Sequence, residues 1–187
     1  MKRILKEKKG LSTVVTTLII LVVSVLLATV VTFYAINVTT TRVQEESLQI
    51  SKQHIWHNGT NFAEATFLII NTGGRDVVLD RISVRGQECV WATIYYNKTT
   101  DALTSDLSFI NPNSNGTLLG KGVTVGLVTY DLAGASGDLI LKSGSSMIVY
   151  ITGPDTISVN DIGTTVGFTA FTANAQYYKE CNVGASA

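Results

Sequence analysis

Hydrophobic positions along the chain follow two regimes that meet near residue 58. From Leu11 to Thr41 no residue is charged, and from Leu11 to Asn58 there is neither Gly nor Pro. With no breaker, the stretch is expected to form one continuous helix. Its 31 uncharged residues, rising about 1.5 Å each, outreach the roughly 30 Å hydrocarbon core of a bilayer. Past Thr41 the pattern turns amphipathic, with Val43, Ser47, Ile50 and His54 on one side and Arg42, Glu45, Glu46 and Lys52 mostly elsewhere. This predicts that the helix runs on to residue 57 and packs its apolar side on the following domain or a neighbouring helix.

After Asn58-Gly59 the period shortens to two. Ala65 to Ile70 lead into the turn signal Asn71-Thr72-Gly73-Gly74, and Val77 to Arg85 follow with Ile82 and Val84 facing opposite to Arg81, Ser83 and Arg85. Further strand-like runs are Cys89 to Tyr96, Gly122 to Tyr130, Leu139 to Leu141, Ser146 to Thr152 and Val166 to Phe171. The expected class is α+β: a long apolar helix, then an antiparallel, immunoglobulin-like β-sandwich over 58–187 with a single core.

Net charge is zero over the 187 residues, but Lys2, Arg3, Lys6, Lys8 and Lys9 crowd the first ten against Glu7 alone. Beyond Gly10, nine Lys and Arg face thirteen Asp and Glu. A mildly acidic outer part argues against a nucleic-acid partner, which needs clustered bases. The basic cluster ahead of the apolar run places the N-terminus in the cytoplasm and the residues after Arg42 outside. A conventional secretory signal would end in a small-x-small cut site, and the positions before Ala28 and Ala35 hold bulky Leu26 and Phe33 instead.

Lys8-Lys9-Gly10-Leu11-Ser12, closing a charged leader directly before a long apolar helix, resembles the class III signal of archaeal type IV pilins and archaellins. The resemblance implies cleavage after Gly10 by a prepilin peptidase, so that the anchor survives as an assembly element. It implies a pilin of an extracellular adhesion filament, inserted in the cytoplasmic membrane beforehand, whose partners are copies of itself and a membrane assembly machinery. An archaellin is the second member of the same class, and the acid many of these proteins carry five residues into the mature helix is here Val15. Asn71 to Gly86 and Gly153 to Tyr178 are also similar to outer domains of this kind.

Thr17, Ser24, Ala28 and Ala35 recur at spacings of seven, four and seven, close to one helical stripe. Such a stripe serves helix packing in lipid, or belongs to a lone anchor whose hydroxyls bond back to their own helix. Cys89 and Cys181 suit a disulfide in an oxidising compartment or two buried thiols. Asn37, Asn58, Asn97 and Asn115 open Asn-x-Ser/Thr sequons, with Asn97 and Asn115 the favoured sites for N-linked sugar and Asn37 liable to burial among helices.

No phosphate loop, dinucleotide fingerprint or nucleophile elbow occurs, and Gly134-Ala135-Ser136-Gly137 has the wrong spacing for the last. No enzymatic activity and no cofactor or metal is expected. His54 and His57 lack a third ligand, and the run Asn111 to Gly116 has no carboxylate for calcium. The alternative of another class is a monomeric binding module tethered by an uncleaved helix.

Overall fold

The computed structural model describes residues 2–43, 45–154 and 156–186, with side chains from residue 12 and again from residue 45. It divides into two units, 1–44 and 45–187. The first is helix α1, Lys2–Val43. Lys8, Lys9, Gly10 and Leu11 lie within its backbone, their side chains outside the described ones.

The predicted continuation of the helix to residue 57 is corrected. Residues Leu48–His57 form strand β1, and the unit boundary falls after residue 44 rather than after 57. The reason is a β-bulge. Ser51 pairs with Leu68 but His54 pairs with Thr66, so three steps along β1 match two on its neighbour. Lys52 takes up the extra residue with φ +52. Leu48 and Ile50 are therefore buried before the bulge and Ile55 and His57 after it, a change of parity that imitates helical spacing in the sequence.

The remaining strands are β2 (Ala63–Asn71), β3 (Val77–Val84), β4 (Gln87–Glu88), β5 (Ile94–Thr99), β6 (Gly122–Val125), β7 (Val128–Asp131), β8 (Ala133–Gly134), β9 (Leu139–Leu141), β10 (Ser146–Thr152), β11 (Thr165–Thr172) and β12 (Gln176–Ala185). The predicted run Cys89 to Tyr96 is thus a strand only from Ile94, after a 3-10 turn at Trp91–Thr93. The predicted strand at Gly122 to Tyr130 is a hairpin, β6 against β7.

One sheet runs β4-β3-β11-β12-β1-β2-β10-β5-β8, with β9 beside β3. Pairings are antiparallel except between β1 and β12, which run parallel, so the sheet is mixed. It curls until its arms face one another: Phe67 on β2 and Phe168 on β11 have ring centroids 5.0 Å apart. Between the arms lies a core of Ile50, Ile55, Phe67, Ile69, Leu79, Ile82, Met147, Val149 and Phe168, among others.

The expected single core is also corrected. Leu68, Tyr95, Ile148 and Tyr150 on the opposite face of the central strands pack with Leu107, Leu118, Val123, Tyr130 and Leu132. The long connection 100–121 and the β6–β7 hairpin thus cover the outer face. Covered on both sides, β2 and β10 are buried almost end to end, and their central stretches Phe67 to Ile70 and Met147 to Ile151 are apolar at every position rather than at every second one.

Candidate functional site: the apolar helix and the fastened outer unit

Within α1, Ser12–Thr41 is a 30-residue span of mean hydropathy 2.9, about 45 Å at helical rise. It has the length and apolarity of a membrane-spanning segment or a signal sequence. Every described side chain along it is exposed, including Leu26, Phe33 and Tyr34. Thr16, Thr17, Ser24, Thr29, Thr32, Thr40 and Thr41 each donate a hydroxyl hydrogen bond to a carbonyl three or four residues earlier. These bonds satisfy the polar groups without water, which is what a lipid or helix-packed surrounding demands. Thr17 bonds to the Val14 carbonyl and Ser24 to that of Ile20. Ala28 sits in a groove walled by Val25, Thr29, Thr32, Phe33 and Ile36.

The chain entering the β unit is tied down at once. Ser47 O accepts from Thr72 N at 2.9 Å and Gly73 N at 3.1 Å, and the Ser47 and Thr72 hydroxyls lie 2.9 Å apart. A Cβ on Gly73 would come within 2.6 Å of Glu45 O and 2.7 Å of Ser47 N, so only Gly permits this approach. Glu46 accepts from the Thr172 hydroxyl and, at 2.9 Å, from Asn174 Nδ2 at the β11–β12 turn.

The connection 100–121 is fastened across the outer face by a series of polar ties. Lys52, re-aimed by the bulge, donates from Nζ to Thr104 O at 2.7 Å and Ser105 O at 2.6 Å. His54 Nε2 lies 2.9 Å from Asp106 Oδ1. Burial tends to raise the Asp106 carboxyl, but the His54 and Leu107 hydrogen bonds together with nearby positive charge bring it below its ordinary value. Tyr150 donates its hydroxyl to Ser108 O at 2.8 Å. Trp56 stacks on His54 and meets Phe109 edge-on, and Phe109 also meets Phe62.

At the centre of these ties is Glu64 on β2, fully buried. Its Oε1 accepts from Ile110 N at 3.1 Å, and its Oε2 has no hydrogen-bond partner among the described residues. Burial pushes its carboxyl up to about 8, the Ile110 bond opposing only in part. Glu64 is therefore held mainly as the neutral acid at pH 7. Tyr150 is raised in turn, by its own burial first and by Glu64 second. The sequence pattern assigned Lys52 only to a polar helix side and gave Glu64 no role; a lone Glu directly ahead of the run Ala65 to Ile70 was the available signal.

His54 and His57 stand on a strand three residues apart and do not share a face. His54 is engaged by Asp106 through Nε2, while buried His57 accepts from Gly59 N through Nδ1. Among the described residues no group of three or more His, Cys, Asp or Glu could hold a metal. In the Asn111 to Gly116 loop, Asn113 Nδ2 donates to Leu119 O at 3.2 Å and Asn115 Oδ1 accepts from the Thr117 hydroxyl at 2.8 Å. Those side chains close the turn.

Of the two readings given to the cysteines, the strand order speaks against the disulfide. Cys89 continues the β4 ladder, its N–H bonded to Ile82 O, and Cys181 lies opposite Val166 on β12. The order β4-β3-β11-β12 puts roughly 14 Å of sheet between their strands, twice the span of a disulfide. No bridge joins them, and burial pushes the Cys181 thiol up to about 11.

No protein-family model matches the chain, and a search of curated proteins gives no match. Among solved structures, the apo PmoF2 PCuAC domain is 14% identical, with 75% of this chain and 94% of that one covered and a TM-score of 0.41. A family 123 glycoside hydrolase from Clostridium perfringens is 9% identical, with 74% and 26% covered and a TM-score of 0.33. The ligand binding region of serine-glutamate repeat protein A of Enterococcus faecium is 12% identical, with 76% and 98% covered and a TM-score of 0.25. Likenesses of this extent assign neither a fold family nor a function to the chain.

Proposed function

We propose that this chain is the structural subunit of an extracellular filament of the type IV pilin kind. The Ser12–Thr41 helix is its polymerising element and the β unit, read as an immunoglobulin-like sandwich, is its outer layer for surface attachment. The observation that carries the reading is the combination of a 30-residue apolar span with every described side chain exposed and an outer unit that buries two cores of its own. A helix of this kind gains by leaving lipid only if another apolar surface of complementary shape receives it. Other copies supply that surface, with Thr17, Ser24, Ala28 and Ala35 allowing close approach.

In this reading the leader is removed after Gly10, at Lys8-Lys9-Gly10-Leu11. Mass spectrometry of the mature N-terminus tests it, together with electron microscopy of cell surfaces. A chain beginning at Leu11 and filaments that vanish on Gly10→Phe substitution are expected. A chain that keeps Met1 and forms no polymer refutes the filament and leaves the tethered binding module. Val15, where an acid would stand in many relatives of the class, favours an adhesion pilin over an archaellin; a motility defect in cells lacking the chain would reverse that preference.

A further inference from the structure

The four sequons are identical in motif type but not in geometry. Asn58-Gly59-Thr60 and Asn115-Gly116-Thr117 both lie in turns with the central Gly in the left-handed region, Gly59 at φ +74 and Gly116 at φ +77. In the first, Asn58 Oδ1 accepts from the Thr60 hydroxyl at 2.9 Å and from Thr60 N, Asn61 N and Phe62 N. In the second, Asn115 Oδ1 accepts from the Thr117 hydroxyl at 2.8 Å and from Thr117 N at 3.4 Å. Both Asn side chains are exposed, and neither Nδ2 makes a hydrogen bond among the described residues. Space around both turns is open: a Cβ on Gly59 or Gly116 would meet nothing within 4 Å.

Asn97 differs on each count. It lies half-buried in β5, and its Nδ2 donates to Asp131 O at 2.7 Å, tying β5 to β7. Its sequon hydroxyl, on Thr99, accepts from Asp101 N instead. Asn37 stands inside the apolar span of α1.

We propose that Asn58 and Asn115 carry N-linked saccharide and that Asn97 and Asn37 do not, a revision of the preference for Asn97 drawn from sequence. The inference rests on the reading that the β unit is exported. Hydroxyl donation to Oδ1 draws electron density toward the amide oxygen and makes the Nδ2 protons easier to lose, while leaving Nδ2 uncommitted. The co-substrate is a lipid-linked oligosaccharide bearing a polyprenyl phosphate or diphosphate. The bond from sugar C1 to phosphate oxygen breaks, C1 bonds to Nδ2, the lipid phosphate departs with the electron pair, and the one proton lost from Nδ2 passes to that phosphate or to solvent. At Asn97 a sugar would compete with the Asp131 contact and crowd the β5–β7 junction; at the two Gly turns it meets only solvent.

The test expresses the full chain in cells that supply a lipid-linked oligosaccharide and its transferase, with glycopeptide mapping of the product and protease added to intact cells. Expected are glycan masses at Asn58 and Asn115, one lost in Thr60→Ala and the other in Thr117→Ala, and an unchanged mass in Thr99→Ala. Exposing the full chain to the same transferase after denaturation should bring Asn97 into reaction, so that its selectivity is traced to the fold. Glycan on Asn97 of the folded chain, or bare Asn58 and Asn115 on a chain cut by external protease, overturns the assignment and leaves export standing. A chain sheltered from external protease overturns both.

Discussion

Replacing Glu64 with Gln removes a carboxyl that the fold holds neutral against its own preference. In the unfolded chain this group ionises near 4.5, and in the folded unit near 8. Between those values the folded state keeps a proton that the unfolded state has released. Stability therefore falls as pH rises through that window, by about 1.4 kcal/mol per pH unit, and levels off above about pH 8. From pH 5 to pH 8 the loss amounts to about 3 to 4 kcal/mol, a large fraction of an ordinary domain's stability. Gln keeps the acceptor for Ile110 N and has no proton to release, so Glu64→Gln should lose this part of the pH dependence, and its stability relative to wild type should rise over the same range. Urea unfolding of the full chain in mild detergent, followed by fluorescence of Trp56 and Trp91, measures both. A gap between wild type and variant that stays constant from pH 5 to pH 8 would refute the claim that Glu64 is buried as a neutral acid.

Three other outcomes follow from the geometry. Gly73→Ala should lower the melting temperature, at a cost of about 1 to 3 kcal/mol for the forced backbone shift, because Glu45 O and Ser47 N occupy the space a Cβ needs; an unchanged melt would mean that residues 45–47 yield freely. Lys52→Met should leave the sheet intact but speed limited proteolysis between residues 101 and 106, since the Nζ bonds to Thr104 O and Ser105 O are lost; a cleavage rate equal to wild type would show that the other ties suffice. Asp161 is lowered to about 2 by the Ser158 hydroxyl and N–H first and by Arg85 after them. Its contribution is present above the ordinary Asp range and lost as pH falls through about 2, so the melting difference between wild type and Asp161→Asn should shrink toward zero at that pH.

The amino-acid sequence by itself determined α1. Thirty-one uncharged residues without Gly or Pro leave backbone groups that only a helix can satisfy in an apolar surrounding, and no tertiary contact is required for that conclusion. It also located β2, β3, β9, β10 and β11, where apolar density or alternation sits between turn residues. Tertiary structure decided β1, because the bulge at Lys52 breaks the alternation and pairing with β2 and β12 outweighs the helical spacing of Val43, Ser47, Ile50 and His54. It decided β12 as well, a largely polar and exposed strand held by ladders to β11 and β1. The separation of Cys89 from Cys181, the burial of Glu64 under the 100–121 connection and the unlike settings of Asn97 and Asn115 belong to the same category. Each depends on which strands become neighbours, and strand order is set by the packing of distant residues, which local periodicity does not encode.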